Sequence, residues 1–284
     1  MLAGTLYVIA TPIGNLEDIT LRALRILRDE VSLIACEDTR HTQKLLEHYS
    51  IRKPVVSYHE HNENNRTPEL LRALGAGESV ALVSDSGTPL ISDPGYRIVT
   101  AALKEGFKVV PVPGSSAVLA ALVVSGFPTD EFWFAGFVPS KSAARRKRLE
   151  RWADLPVTAV VYESPHRILD TLSEMEQIFG DRRILLAREL TKIHEEFLHG
   201  SANEIRDQLA KRGAVKGEIT LVIGKAEAEK KIEDPSAEVA RLEAEGLDRM
   251  EAIKTVAKQT GLPKREVYRL VQALDHNRTT KHRN

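Results

Sequence analysis

Short apolar runs at residues 6–10, 31–36, 54–57, 80–83 and 109–112 alternate with stretches carrying apolar residues at helical spacing near 21–28, 42–48, 68–74, 96–103 and 115–124. Runs of this length, rich in Val, Ile and Leu, suit strands covered on both faces, and strand–helix alternation predicts a largely parallel sheet flanked by helices. A second series follows, with strand-like runs at 132–135, 157–162, 184–187, 195–199 and 219–223 and helical patterns at 143–152, 167–179 and 203–211. Between the two series, Ser125-Gly126-Phe127-Pro128 marks a boundary. The expected fold class is α/β, with an N-terminal domain over 1–125 and a C-terminal domain over 126–228.

Beyond Gly224 the pattern changes. A charged segment at 225–234 reads as a linker, and residues 235–276 carry only helical spacing. Ala252, Ile253, Val256 and Ala257 form one stripe, Gly261-Leu262-Pro263 a turn, and Val267, Leu270, Val271 and Leu274 a second stripe. Two helices around a glycine turn have the pattern of a helix-turn-helix, and Lys264, Arg265 and Arg269 decorate the second, where phosphates would be met. A small packing or dimerisation module would show the same pattern.

Composition narrows the class. The 284 residues are 42% hydrophobic, enough for buried cores, yet no apolar run approaches the roughly 20 residues that span a bilayer. Met1-Leu2-Ala3-Gly4 has no basic segment leading into an apolar one, so a cytoplasmic protein without membrane contact is expected. A single cysteine, Cys36, excludes an internal disulfide and any cysteine-cluster zinc site, and its apolar surroundings in sequence predict a buried thiol. Formal charge is zero overall but uneven: Lys141, Arg145, Arg146, Lys147, Arg148 and Arg151 crowd into eleven residues, and Arg278, Lys281 and Arg283 into the tail.

Several motifs fail on spacing. Gly14 follows the first strand without the G-x-G-x-x-G of a dinucleotide site, and no phosphate-binding G-x-x-x-x-G-K-[ST] occurs. His194 to His199 misses the zinc spacing H-E-x-x-H by one residue, and His59-Glu60-His61 has no obvious third ligand, so no metal is expected. Gly114-Ser115-Ser116-Ala117 lacks the second glycine of a nucleophile elbow. What remains are polar loops at strand carboxyl ends, the rim where open α/β sheets hold ligands. The richest is Ser84-Asp85-Ser86-Gly87-Thr88-Pro89-Leu90-Ile91-Ser92-Asp93-Pro94-Gly95, although an ordinary strand-to-helix turn draws on the same residue types.

Taken in order, Thr11-Pro12-Ile13-Gly14-Asn15-Leu16, Glu37-Asp38-Thr39-Arg40, the Ser84 to Gly95 stretch, Pro113-Gly114-Ser115-Ser116-Ala117, Tyr162-Glu163-Ser164-Pro165-His166-Arg167 and Arg188-Glu189-Leu190-Thr191-Lys192 resemble the signature blocks of the ribosomal RNA small subunit methyltransferase I family. The similarity runs over nearly the whole chain, with Ser86 where alanine is the more frequent residue. It implies the tetrapyrrole methylase fold, two α/β domains with S-adenosylmethionine in the cleft between them, a homodimer, and methylation of a cytidine ribose 2′-hydroxyl of 16S rRNA, free or in the 30S subunit.

By the same resemblance the cofactor contacts would be Pro12, Gly14, Ser84, Asp85, Gly87, Thr88, Ser115, Ser116 and Ala117 from the first domain, and Tyr162, Glu163, Ser164, Glu218 and Thr220 from the second. Asp85 would accept from the cofactor's ammonium group. His59, Glu163 and Lys192 are candidates to assist a poorly nucleophilic hydroxyl, or else contacts to substrate, cofactor and phosphate respectively. Arg40, Lys141, Arg145, Arg146, Arg148, Lys264 and Arg265 are the expected RNA contacts. A methyltransferase for a tetrapyrrole precursor, or a non-catalytic ribosome-assembly factor, would share the fold; the former would have no use for the basic run.

Overall fold

The structure is a computed structural model that describes residues 3–226 and 234–281, with side chains to residue 273. Met1, Leu2, most of the charged linker, the Leu274 side chain and the tail cations Arg278, Lys281 and Arg283 lie outside the described residues or side chains.

The first strand series forms one sheet of β1 (Thr5–Ile9), β2 (Leu33–Cys36), β3 (Val55–Ser57), β4 (Val80–Val83) and β5 (Lys108–Val112). Its order is β3-β2-β4-β1-β5 and every pairing is parallel, as the alternation predicts. The helices between them are α1 (Leu21–Arg25), α2 (Thr39–His48), α3 (Glu63–Gly75) and α4 (Tyr96–Lys104), followed after β5 by α5 (Ala117–Val123). Successive strand residues point to opposite faces. On β4, Val80 and Leu82 join a core with Leu70, Leu74, Ile98 and Ala102 of α3 and α4, while Ala81 and Val83 join one with Ala23 of α1 and Leu46 of α2. Cys36 is buried in the second of these cores.

The second sheet holds β6 (Phe132–Phe137), β7 (Thr158–Glu163), β8 (Ile184–Arg188), β9 (Glu196–Gly200) and β10 (Ile219–Ile223) in the order β6-β7-β10-β8-β9. Here only β6 and β7 pair in parallel; β10 runs antiparallel to both neighbours, and β8 to β9. The reason is local. The seven residues joining β8 to β9 contain no helix, so the chain turns straight back on itself. One face of the sheet packs on α6 (Ser142–Trp152), α7 (Ile168–Phe179) and α8 (Ala202–Ala210). The other packs Val160, Leu185 and Val222 against Val118, Ala121 and Leu122 of α5 and against Ile13. A helix of the first series thus covers the second sheet, and residues 1–226 form one compact unit holding both sheets.

Residues 227–284 form a second unit. Three helices build it, α9 (Pro235–Ala244), α10 (Arg249–Thr260) and α11 (Lys264–Lys281), where two were expected. Val239 and Leu242 of α9 complete a core with Ala252, Ile253, Val256, Val267 and Val271. Asp234 caps α9, and Gly261 ends α10 in the left-handed region at φ 69°. Leu270 departs from the expected stripe, being 41% exposed.

Helix α6 carries the basic run and corrects one expectation. Arg145 is not a phosphate contact: its side chain is 5% exposed and donates through Nη2 to Glu174 Oε1 of α7 at 2.7 Å. With Leu149 and Trp152 it lies on the buried face of α6, four and seven residues apart, which is one helical stripe. Arg146 is occupied by Glu150 and Gln177, whereas Lys141, Lys147, Arg148 and Arg151 are exposed. Only one bond joins Arg145 to Glu174, and Arg145 Nε and Glu174 Oε2 are buried without partners. Truncating one side still strands the other charge, so Arg145→Gln should lower unfolding free energy by about 3 kcal/mol, while Arg148→Gln stays within about 0.5. The hydrogen bond from Arg145 holds the Glu174 carboxyl below its ordinary 4.5. The pair's contribution is therefore complete above that value and lost as pH falls through the lowered one, so the two variants' denaturant curves should converge in acid.

Candidate functional site

The polar loops of both sheets meet around a cavity of about 590 Å³. Its foundation is a bridge beyond the ends of β1 and β4. Thr11 N donates to Gly87 O at 2.8 Å, and Gly87 N returns to Thr11 O at 3.1 Å. The Thr11 hydroxyl donates to Ser84 O at 3.0 Å and the Ser84 hydroxyl to Gly87 O at 3.2 Å. Gly87 makes the reversal at φ 81°, where any side chain is strained. Thr88 Oγ1 then donates to Ser115 O at 3.2 Å, tying this loop to the one before α5.

Against this wall stands the loop between β8 and β9. Asn15 N donates to Thr191 Oγ1 at 3.0 Å, and a Cβ on Gly14 would lie 2.4 Å from Lys192 Cγ, so only glycine admits the two loops this closely. Lys192 Nζ binds Glu189 Oε1 at 2.9 Å and Glu218 Oε2 at 3.0 Å, and Glu218 N donates to the same Glu189 oxygen at 2.9 Å. Burial opposes the lysine's charge, but the hydrogen bonds it donates to these two carboxylates raise its pKa above 10.5. Lys192 is a fixed cation and no base.

Of the expected cofactor contacts, Gly87, Thr88, Ser116 and Ala117 line the cavity from the first sheet, and Tyr162, Glu163, Ser164, Glu218 and Thr220 from the second. Pro12, Gly14, Ser84, Asp85 and Ser115 stand outside the lining. Asp85 holds the wall instead: its Oδ1 accepts from Asp38 N at 3.0 Å and joins the loops after β2 and β4. Two of the three chemical candidates are corrected by their surroundings. Glu163 has a fully buried side chain that accepts from Ser164 N, Arg167 Nη2 and Thr171 Oγ1, so its oxygens are committed. His59 does not line the cavity; Asn62 accepts from its amide at 2.9 Å and sits 3.2 Å from its Nε2, fixing the turn into α3. Arg40, an expected RNA contact, is exposed and paired with Asp38.

The residue that sequence reasoning missed is Asp93. It lines the cavity with Ser92, Phe137 and Tyr162, eight positions beyond the aspartate expected there. Burial, then the Glu37 carboxylate, push its pKa from 3.8 to about 6; the Ser84 hydroxyl partly offsets this and Asp85 adds to it. Tyr162, half-buried and facing Asp93 and Glu218, is pushed up to about 12 and stays a phenol at neutral pH. Phe137, 58% exposed, tilts over Tyr162 at 5.3 Å between ring centres. Ile13, Leu190 and Ile219 supply apolar wall. With Asp93, Glu189 and Glu218 against Lys192, and Glu163 neutralised by Arg167, the lining carries excess negative charge and suits a cationic ligand. Among the described residues, no group of three or more His, Cys, Asp or Glu is placed to hold a metal ion.

Comparison with known proteins agrees with this fold. The family model for Tetrapyrrole (Corrin/Porphyrin) Methylases matches residues 5–206. The chain is 46% identical over 274 residues to Ribosomal RNA small subunit methyltransferase I of Halalkalibacterium halodurans, covering 94% of both chains. It is 47% identical over 272 residues to the protein so named in Mesorhizobium japonicum, covering 94% of this chain and 91% of that one. Among solved structures, uroporphyrin-III C-methyltransferase from Thermus thermophilus complexed with S-adenosylhomocysteine superposes with a TM-score of 0.54 at 22% identity, over 78% of this chain and 97% of that one. A cobalt precorrin-4 methyltransferase superposes with a TM-score of 0.56 at 17% identity, over 78% and 94%.

An acid whose pKa is raised by burial costs stability once it ionises. Unfolding restores Asp93 to its ordinary value, so its penalty is absent below about pH 4, grows as pH rises towards 6 and is constant above. Asp93→Asn should therefore stabilise the ligand-free protein by about 1–2 kcal/mol at pH 7.5. That gain should shrink on acidification to pH 4, a trend that chemical denaturation at the two pH values can read.

Proposed function

Because the chain belongs to the ribosomal RNA small subunit methyltransferase I family of the tetrapyrrole methylases, we propose that it methylates the ribose 2′-hydroxyl of a cytidine in small-subunit rRNA, using S-adenosylmethionine bound in the cavity. The observation that carries the reading is the cavity itself, built at the carboxyl ends of a parallel sheet from the signature loops and lined with net negative charge. Its volume of 590 Å³ lies within the range of small-molecule sites.

The residues present fit the cofactor. Gly87 leaves open a surface that a Cβ would fill, 3.4 Å from Ile13, and Gly217, at φ 94°, leaves room for the Glu189 carboxyl. Ile13, Leu190 and Ile219 offer apolar contact to an adenine, and the carboxylates favour an ammonium and a sulfonium. When bound, S-adenosylmethionine supplies an electrophilic methyl group. The protein's share is to hold donor and acceptor in line in a site with little water, which the closed contact of Gly14 with Lys192 promotes. Lys192, pinned between two glutamates, positions rather than reacts.

The same lining disfavours a tetrapyrrole precursor, whose several carboxylates would face Asp93, Glu189 and Glu218. An RNA keeps its phosphates outside the cavity. Lys141 begins α6 four residues after Phe137 at the cavity edge, and Lys147, Arg148 and Arg151 continue as exposed cations. Lys264, Arg265 and Arg269 are exposed on α11. We assign these two surfaces to the rRNA backbone, in free rRNA or the 30S subunit, and place the protein in the cytoplasm. For the expected homodimer, Leu119, Val123 and Val124, on and just after α5, supply exposed apolar surface.

Labelled S-adenosylmethionine incubated with 30S subunits, free rRNA and porphyrinogen should mark rRNA alone, in a dinucleotide that resists alkaline cleavage; label confined to porphyrinogen would refute the reading. Exchanging Lys147, Arg148 and Arg151 for glutamine should weaken RNA binding and flatten its salt dependence by about two to three phosphate contacts without changing cofactor affinity. Coincident salt curves for both proteins would leave those cations merely solvated.

A further inference from the structure

One part of the cavity lining brings together Ser92, Asp93 and Phe137, none of them among the expected cofactor contacts, with Tyr162 against Asp93 and Phe137. Two loops create it. The chain after β4 brings Ser92 near the end of β6, where a Cβ on Gly136 would lie 3.5 Å from Ser92 Oγ, and β6 delivers Phe137 as its last residue. Phe137 leaves more than half its surface free, a platform on which a nucleobase can stack. Beside it, Asp93 lines the cavity, and the Ser84 hydroxyl hydrogen-bonds its carboxylate, whereas the Glu163 carboxylate is held by three donors.

Resting on the ribose-methylation reading, we propose that Asp93 is the catalytic base: the acceptor nucleoside stacks on Phe137 and gives its hydroxyl proton to the Asp93 carboxylate. In the step, the O–H bond breaks, its proton passing to Asp93 and its electron pair staying on oxygen. That oxygen forms the bond to the methyl carbon as the carbon–sulfur bond breaks, its pair returning to sulfur. A carboxylate, a hydroxyl and a sulfonium become a carboxylic acid, a methyl ether and a neutral thioether, and Asp93 afterwards releases its proton to water. The other groups fit no better. Lys192 is held protonated, Tyr162 is a phenol, and His59 lies outside the lining.

The charged surroundings of Asp93 match the role. Glu37 faces it from the loop after β2 and Asp85 from its own loop, both raising its proton affinity, and the Tyr162 phenol faces it from β7. Glu37 is itself raised, first by burial and then by Asp85 and Glu60, with His59 opposing. A base tuned upward towards neutrality accepts a proton more readily than an ordinary carboxylate yet remains ionised at pH 7.5.

Two measurements on the intact protein decide the matter. Carboxyl-carbon NMR of the ligand-free protein should show a titration near pH 6 that disappears in Asp93→Asn, and kcat/KM for rRNA should fall on its acid side with that same midpoint. Asp93→Asn should slow single-turnover methylation at saturating S-adenosylmethionine by about 10²–10⁴-fold, a loss far larger than any fall in cofactor affinity read by calorimetry. A titration in the ordinary carboxylate range, a variant rate within threefold of wild type, or a loss of rate matched by lost cofactor affinity would each overturn the assignment. Wild-type protein that transfers no methyl group to any rRNA would instead refute the underlying reading and the base with it.

Discussion

The site exists because one helix serves both sheets. Helix α5 leaves β5 of the first sheet and buries Val118, Ala121 and Leu122 on Val160, Leu185 and Val222 of the second, with Ile13 in the same cluster. Side chains packed this tightly resist sliding, since even a methylene's worth of misfit is felt in a close-packed core. The loops at the end of the parallel sheet are thereby held against the turn between β8 and β9, and Gly14 lies against Lys192 with no room for a methyl group. The charge pattern follows from that seam, because it sets Glu189 and Glu218 opposite the loop that carries Asp93.

Much of this was legible in the sequence. Apolar runs located the ten described strands to within a residue or two, most sharply β4 and β10, which are buried along their whole length. Alternation with helices gave the parallel first sheet. The second sheet's antiparallel pairs were less accessible, because the decisive signal is the missing helix between β8 and β9 rather than any strand's own pattern. Position at strand ends picked out the loops that rim the cavity, and nine of the cofactor contacts that the resemblance implies line it. Which aspartate lines the cavity was not legible. Asp85 and Asp93 are the same residue type in one loop, and only the Asp38 amide, supplied by another strand's loop, turns the first away.

The basic run shows the same limit from the other side. Density of charge suggested a solvated or phosphate-binding surface, yet Arg145 falls on the stripe that also holds Leu149 and Trp152, so helical geometry buries it whatever its charge. Glu174 of α7 then supplies the partner, and Ser142 donates to the same carboxylate oxygen. Spacing along a helix thus outranks composition in deciding which cations face solvent.

Backbone strain falls in the same two loops as the chemistry. Five non-glycine residues among those described have positive φ, and four of them, Leu90, Ser92, Glu189 and Thr191, lie in the stretch after β4 or the turn after β8. Each costs about 1–3 kcal/mol unless the surroundings impose it. Leu90 is locked by packing, for Gly95 lies against its side chain so closely that a Cβ would come within 2.8 Å, and Glu189 is locked by Lys192 and the Glu218 amide. Ser92 and Thr191 sit beside the two groups that matter most to the cavity, Asp93 and Lys192. Relaxing either loop to ordinary dihedrals would re-aim those side chains. The seam at α5 and the Thr11–Gly87 bridge are stable enough to hold in place a set of conformations and charges that the loops alone would not adopt.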